Sequence, residues 1–594
     1  MTDRELTWDL SPLYTSDDDP RIEQDLLSST QAYRAFADKW QKETALLDEK
    51  QLRIALEEWE GLASEHGFDG KPGYYFSLRS SQDVTSPQIR ARLTLVANTA
   101  KVNADATRFF PLLICQATPS QQKSLLASQE LVHFRPYLRR LFDESAHNLT
   151  EGEERVFSYL IDPAYDKWTE MIEGFLGKEE ADVTNDEGQV VRCGYSDLDQ
   201  YLTSANQLTR QSAVRAVDEI LSSHAAAAEN ELNAILETKK ASDYLRGYQQ
   251  PEDERLLSDM IDSSVVGAMV AAVTNKFDIS ARFYRLKAHL LKLPTLTYGE
   301  RNVTFGTLPN NYTFQSACEI VQRSLTELDS DFSAIFSGFI KNGQIDVFPR
   351  SGKRSGAFCA YNRIDLPTYI LLNHTNNLRD LTTLAHEVGH GINDELIKKT
   401  QTALYASTPL STAEVASTFM EDFALAEAAG ELSGEARLSL LVSKLNDDIA
   451  TIFRQVAAFN FEFELHREYR LRGYLSKEDI GELFQKHMSA YLGESIDFND
   501  QARNWWIGWH HFRRPFYVYS YASGLLISKS LQEKTRRDPS FINLVKEFLS
   551  TGTSAEPAQI FAKLGINIGD NEFWQEGIGS VEKMLKEAEV LAGL

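Results

Sequence analysis

The 594-residue chain has only four cysteines, Cys115, Cys193, Cys318 and Cys359, far apart and never in CxxC spacing. That excludes a disulfide-stapled framework and points to reduced, mostly buried thiols in a cytoplasmic protein. No stretch approaches twenty consecutive apolar residues, so no transmembrane helix is expected. The opening Met1-Thr2-Asp3-Arg4-Glu5 lacks the basic region and apolar run of a signal peptide. Basic charge is scarce too: 61 Lys and Arg stand against 86 Asp and Glu, a net charge of −25. With no sustained basic run, neither nucleic acid nor an anionic membrane is an expected partner. There is no low-complexity linker and no internal repeat. Length allows several domains, and the sequence leaves oligomeric state open.

What is present is mostly helical texture. Apolar and charged residues alternate at helical spacing over about 19–67, 86–117, 119–145 and 212–246, and again over 314–336, 438–463 and 477–491. Gly70-Lys71-Pro72-Gly73 reads as a break after the first region. Asn185-Asp186-Glu187-Gly188 reads as a turn between short strand-like pieces, so a small hairpin is expected near 180–195. Ala357 to Tyr361 and Thr368 to Asn373 are largely apolar or aromatic runs that read as two strands.

Directly after them comes His386-Glu387-Val388-Gly389-His390. Its lead-in carries Leu378, Leu381, Leu384 and Ala385 at helical spacing, which predicts a helix. On a helix, positions i and i+4 share a face, so both imidazoles can bind one metal ion. Glu387 then sits one step round, as the general base of a zinc peptidase. The bland alternative is a buried helix whose histidines are satisfied by hydrogen bonds. A catalytic zinc needs a third protein ligand. Glu414 is the next candidate, in the first turn of a helix capped by Ser411 or Thr412 and running through Ala424 and Ala428. Glu421, seven residues on, shares its face and can orient a ligand histidine. Read without the upstream motif, Glu414 is an ordinary first-turn glutamate, and Glu421 and Asp422 form a solvated acidic face.

These residues resemble the thimet-oligopeptidase-type (M3) zinc metallopeptidases, and within them the oligoendopeptidase F group. Glu414, Ser417 and Glu421 match the segment that carries that family's third ligand. Trp8-Asp9-Leu10-Ser11-Pro12-Leu13-Tyr14 is similar to its N-terminal opening, and Arg246-Gly247-Tyr248 to a helix-end signature. Ile345-Asp346-Val347 and Gly352 to Cys359 resemble the stretch leading into its cleft, which implies substrate contacts at Gly356, Ala357 and Phe358. The family's last catalytic element, a histidine followed by tyrosines, is matched by His510 to Gly524. The similarity favours His511 over His510, with Tyr517 and Tyr519 as oxyanion donors and Tyr521 toward substrate; an aromatic packing segment would look the same.

The resemblance implies a mainly α, large two-lobed zincin-type peptidase, with a small β-sheet beside the zinc helix and a deep central channel. It divides as an N-terminal helical lobe over 1–200 and a catalytic domain over 201–594. The implied activity is zinc-dependent endopeptidase cleavage of short unstructured oligopeptides. One Zn2+ per chain is held by His386, His390 and Glu414; Glu387 is the base. Two alternatives stand beside it. A carboxypeptidase would need Arg513 or Arg514 to clamp a terminal carboxylate. An inactive peptide-binding protein is opposed by the intact Glu387.

Overall fold

The computed structural model describes residues 6–43, 46–308, 312–409, 412–430, 432–563 and 565–594. It is mainly α-helical, with three very small sheets among the described residues. Among the described residues no helix is long and apolar enough to cross a membrane.

Helical periodicity located the helices but not all their breaks. Residues 314–336 hold two helices, Phe314–Leu328 and Ser330–Lys341, interrupted by Asp329. That residue is extended, at φ −163°, and its carboxylate caps the second helix by accepting from the Asp331 N–H at 2.8 Å. Residues 438–463 likewise fall in two helices, Gly434–Thr451 and Phe453–Arg472, meeting at Ile452. The expected break at Gly70–Gly73 is instead the start of the helix Gly70–Gln82. Pro72 sits in its first turn, where no N–H is needed within the helix.

The chain forms two compact units, each assembled from three stretches. One comprises Met1–Ala146, Pro309–Glu431 and Lys534–Gly565; the other comprises His147–Leu308, Leu432–Glu533 and Ile566–Leu594. The expected division at residue 200 runs along the sequence, whereas these units are gathered through space.

The first unit holds the sheet beside the His386–His390 motif. Tyr369–Leu371 is its centre, pairing parallel with Ile345–Asp346 and antiparallel with Phe358–Ala360, so that Cys359 faces Ile370 across the ladder. The N-terminal segment covers this sheet. Trp8, Leu10, Leu13 and Tyr14 share a core with Tyr369 and Leu371, and the Trp8 indole donates to the Ile370 carbonyl at 2.8 Å. The helix Leu378–Thr400 follows, opened by a capping box between Asn377 and Asp380. Its far half is tied to residues much later in the chain: the Asn393 amide donates to the Leu549 carbonyl and the Thr400 hydroxyl to the Ser550 carbonyl, both at 2.6 Å.

The second unit is built on the 40-residue helix Gln207–Arg246, ended by Gly247 in the left-handed conformation. The expected hairpin is present: Glu180–Thr184 pairs with Val190–Gly194, and Asn185 closes the turn by accepting from the Gln189 N–H at 2.8 Å.

Candidate active site

Gly389 is the reason two helices can meet at the metal motif. A Cβ there would lie 2.6 Å from the Ser417 Cα and 2.7 Å from the Ala416 carbonyl oxygen. The backbone of the helix Val415–Gly430 therefore runs against the motif where a side chain would stand. This close crossing brings Glu414 over the two histidines. Its Oε2 is 3.4 Å from His386 Nε2 and 3.6 Å from His390 Nε2. Ligand atoms of the three residues all lie within 4.8 Å of one another, the one such group among the described residues.

Glu414 is not in the first turn. The helix begins at Val415, and the Glu414 carbonyl accepts from the Thr418 N–H at 3.1 Å, which puts Glu414 at the cap position. Ser411 lies outside the described residues; the Thr412 hydroxyl bonds the Pro409 carbonyl. Ser417 fixes the ligand carboxylate instead, donating to Glu414 Oε2 at 3.0 Å. Glu421 accepts from His386 Nδ1 at 3.0 Å, leaving Nε2 turned toward Glu414. Two imidazole nitrogens and a carboxylate oxygen, one imidazole held by a carboxylate behind it, fit a zinc ion.

Electrostatics bind the group further. Burial opposes protonation of His386, yet the Glu414 and Glu421 contacts outweigh it and lift its pKa to about 10. Burial alone would raise Glu414, but the His386 contact and the nearby imidazoles bring it down to about 2. His390, desolvated, falls to about 4. Glu387 is buried beside these groups, and desolvation raises its carboxyl to about 7 despite the pull of His386. The main-chain N–H of Cys359, from the edge strand, also reaches that carboxylate.

The strand Phe358–Ala360 is the sheet edge expected to meet substrate, half-buried and paired on one side among the described residues. Gly356 precedes it at φ +80°, a conformation that favours glycine. Asn373 holds that turn, donating to the carbonyls of Gly356 at 2.7 Å and Arg354 at 3.0 Å. Ala357 and Phe358 follow directly, and the Arg354 guanidinium lies 5.2 Å from the centre of the Phe358 ring.

In the second unit, His511 gathers two of the three tyrosines. Its Nε2 is 3.2 Å from the Tyr521 hydroxyl; the Tyr517 ring centre lies 6.2 Å from the imidazole and 5.4 Å from the Tyr521 ring. Burial, then the charges of Arg454 and Arg514 and the neighbouring His510, lower His511 to about 4, so it is neutral at pH 7. Tyr519 points elsewhere: it is fully buried and donates to Asp259 Oδ2 at 2.7 Å. Its hydroxyl is a tether. Arg513 is equally committed, buried and paired on both nitrogens with Glu231 at 2.9 and 2.6 Å.

Two supporting residues escaped sequence reasoning. Asp394, one helical turn after His390, is half-buried, raised by desolvation to about 7, and accepts from the Cys359 thiol at 3.6 Å. Its i+4 spacing after the motif was an available signal. Glu462 accepts at 2.8 Å from the N–H of Phe516, a non-glycine residue at φ +58° in the His511 loop. Nothing in the sequence marks that bond.

Comparison with known proteins finds peptidases. Residues 320–580 match the model of peptidase family M3, the stretch that holds all three candidate ligands. The chain is 26% identical to an oligoendopeptidase F homolog of Borreliella burgdorferi over 84% of each sequence. It is 22% identical to the plasmid oligoendopeptidase F of Lactococcus lactis over 99% of this chain and 97% of that one. Its fold matches a crystallised chain from Chlamydophila abortus described as a peptidase, with a TM-score of 0.90, 23% identity and 99% of each chain covered. It also matches oligoendopeptidase F from Enterococcus faecium, with a TM-score of 0.69, 18% identity and 96% and 97% covered. The chain thus resembles oligoendopeptidase F along almost its whole length, and its residues 320–580 match peptidase family M3.

Proposed function

We propose that this chain is a zinc-dependent endopeptidase that cuts internal bonds of short, unstructured oligopeptides. The observation that carries the reading is the convergence of His386, His390 and Glu414 beside a buried Glu387, with Glu421 orienting the first histidine. His386, His390 and Glu414 would hold one Zn2+, which when bound supplies Lewis-acid polarisation and lowers the pKa of water.

The chain's own residues do the rest. Glu387, with a pKa near neutrality, takes a proton from the attacking water and later delivers it to the leaving amine. Neutral His511, with Tyr517 and Tyr521, is the candidate set of oxyanion donors; Tyr519 serves to anchor its helix to Asp259. The strand Phe358–Ala360 aligns an extended peptide by main-chain pairing, which gives affinity with weak side-chain selectivity.

A carboxypeptidase reading loses one of its two clamps, because the Arg513 guanidinium is already paired with Glu231; Arg514 is exposed and still available. The test is a nonapeptide-sized fluorogenic substrate, in free-acid and amidated forms, with products read by mass spectrometry. Internal cuts in both forms, abolished by chelation and by Glu387→Gln, are expected. Cuts confined to one terminus would establish the exopeptidase. Binding without any cutting, in the zinc-loaded protein, would leave a peptide-binding protein.

A further inference from the structure

One part of the second unit's interior holds buried basic side chains with no carboxylate paired to them among the described residues. Lys287 is fully buried, and its ammonium donates only to neutral oxygens, the Arg301 carbonyl and Asn446 Oδ1, both at 2.7 Å. Arg301 is 6% exposed. Its guanidinium lies 4.1 Å above the Tyr298 ring and 4.9 Å from that of Trp505, and one nitrogen donates to the Tyr298 carbonyl at 2.8 Å. Its Nε has no partner, and neither has the buried Nε of Arg454, whose Nη1 donates at a long 3.4 Å to Asn302 Oδ1.

Among the described residues no carboxylate pairs with Lys287, Arg301 or Arg454. Glu300, next in sequence to Arg301, is already spent: Oε1 takes Arg210 Nε at 3.0 Å and Oε2 closes a capping box with Thr297 at 3.1 Å. Asp447 is in electrostatic reach of Lys287 but is exposed and engaged in other interactions. The Tyr298 hydroxyl lies in this interior without a partner, and the Tyr491 hydroxyl has only that of Tyr284 beside it. Tyr491 lies in electrostatic reach of Arg301, Arg454, Tyr284 and Tyr298, and its ring is 6.2 Å from that of Tyr284.

The interior is thus lined with donors and lacks acceptors. A buried donor without an acceptor costs about 1–3 kcal/mol, and an uncompensated buried charge costs more. A negative ion among these side chains, which lie within electrostatic reach of Tyr491, would supply the missing acceptor. Tyr298 is buried among Phe484, Phe498 and Trp505, and Tyr284 and Tyr491 are buried against each other, so the enclosure suits a small ion that sheds its water readily rather than a phosphate or an organic acid. We propose that Arg301, Arg454 and the hydroxyls of Tyr298 and Tyr491 bind a small monovalent anion, a chloride ion, inside the second unit. It ties the helix Phe277–Leu290, through Lys287 and Arg301, to the helices Phe453–Arg472 and Lys477–Leu492.

The experiment uses the full chain with bromide as the probe. Crystals held in sodium bromide should show an anomalous peak in contact with Arg301 and Tyr491. Ordered water at that place, or bromide only on the surface, would overturn the proposal. In solution, the unfolding midpoint should rise by about 2 °C or more on exchanging gluconate for chloride or bromide at fixed ionic strength. Tyr491→Phe and Tyr298→Phe each remove a single hydroxyl and should fold normally, and each should shrink that rise. An unchanged rise in both variants, or equal midpoints in all salts, refutes it. Peptide hydrolysis is not part of the readout, so either result leaves the proposed function untouched.

Discussion

Replacing Gly389 with alanine strikes the metal centre at its tightest point. The new methyl carbon would begin 2.6 Å from the Ser417 Cα and 2.7 Å from the Ala416 carbonyl oxygen, both backbone atoms that cannot swing aside. Ordinary carbon contacts settle at about 3.5–4.0 Å, so the helix Val415–Gly430 must retreat by roughly 1 Å. Overpacking of this kind costs about 1–3 kcal/mol, while alanine returns about 1 kcal/mol of helix propensity, so the variant should still fold. Glu414 sits at the cap of the displaced helix and moves with it. Metal–ligand distances tolerate only about 0.2 Å, so zinc affinity should fall at least 100-fold although no ligand has been touched. The assay is competition against a chromophoric chelator, with circular dichroism to confirm folding. Gly338→Ala is the control, since a Cβ there meets nothing within 4 Å. Wild-type zinc affinity in Gly389→Ala would refute the argument that this crossing sets the ligand geometry.

Further outcomes follow from the same site. Glu387→Gln should retain zinc in metal analysis yet lose about a thousandfold or more in kcat, because the proton carrier is gone. Glu421→Gln should weaken zinc binding by about 10–100-fold, read by the same chelator competition, since His386 loses the carboxylate that holds its Nδ1 proton. In the metal-free protein His386 is raised to about 10 while His390 and Glu414 are lowered to about 4 and 2, so near neutral pH the metal displaces one proton. Zinc affinity should therefore rise about tenfold per pH unit between about pH 7 and 9, and flatten above about 10; a flat profile below that would refute the assignment. The raised His386 pKa also stabilises the metal-free fold fully below its ordinary value, and that stabilisation is lost as pH rises through about 10. Tyr521→Phe should lower kcat with the unfolding midpoint nearly unchanged, whereas Tyr519→Phe should lower the midpoint by removing one of the donors to buried Asp259.

The zinc motif was legible because its geometry is local: four residues along one helix fix two nitrogens on one face. The edge strand and the hairpin were legible for the same reason, each marked by its own residues and turn. The tyrosines were not. The helix starts at Tyr519, so Tyr519 and Tyr521 leave it on nearly opposite sides, and only the partners decide which side holds His511. Arg513 looked like a free cation because Glu231, the group that neutralises it, lies on a helix that the sequence places far away. The breaks at Asp329 and Ile452 were hidden because apolar spacing resumes in step beyond them.

The far end of the zinc helix rests on residues 534–565, through Asn393 with Leu549 and Thr400 with Ser550. During synthesis, both histidines and Glu414 leave the ribosome long before those partners exist. Until then the helix has a bare apolar flank and unanswered polar groups, and any metal captured at that stage is held by a scaffold that has not closed. A stalled or truncated chain ending before Leu549 would therefore carry a complete set of ligand residues and still make a poor metal protein, exposed to proteases and to misloading. In the metalloenzyme proposed here, the order of the chain thus sets when a metal can be held.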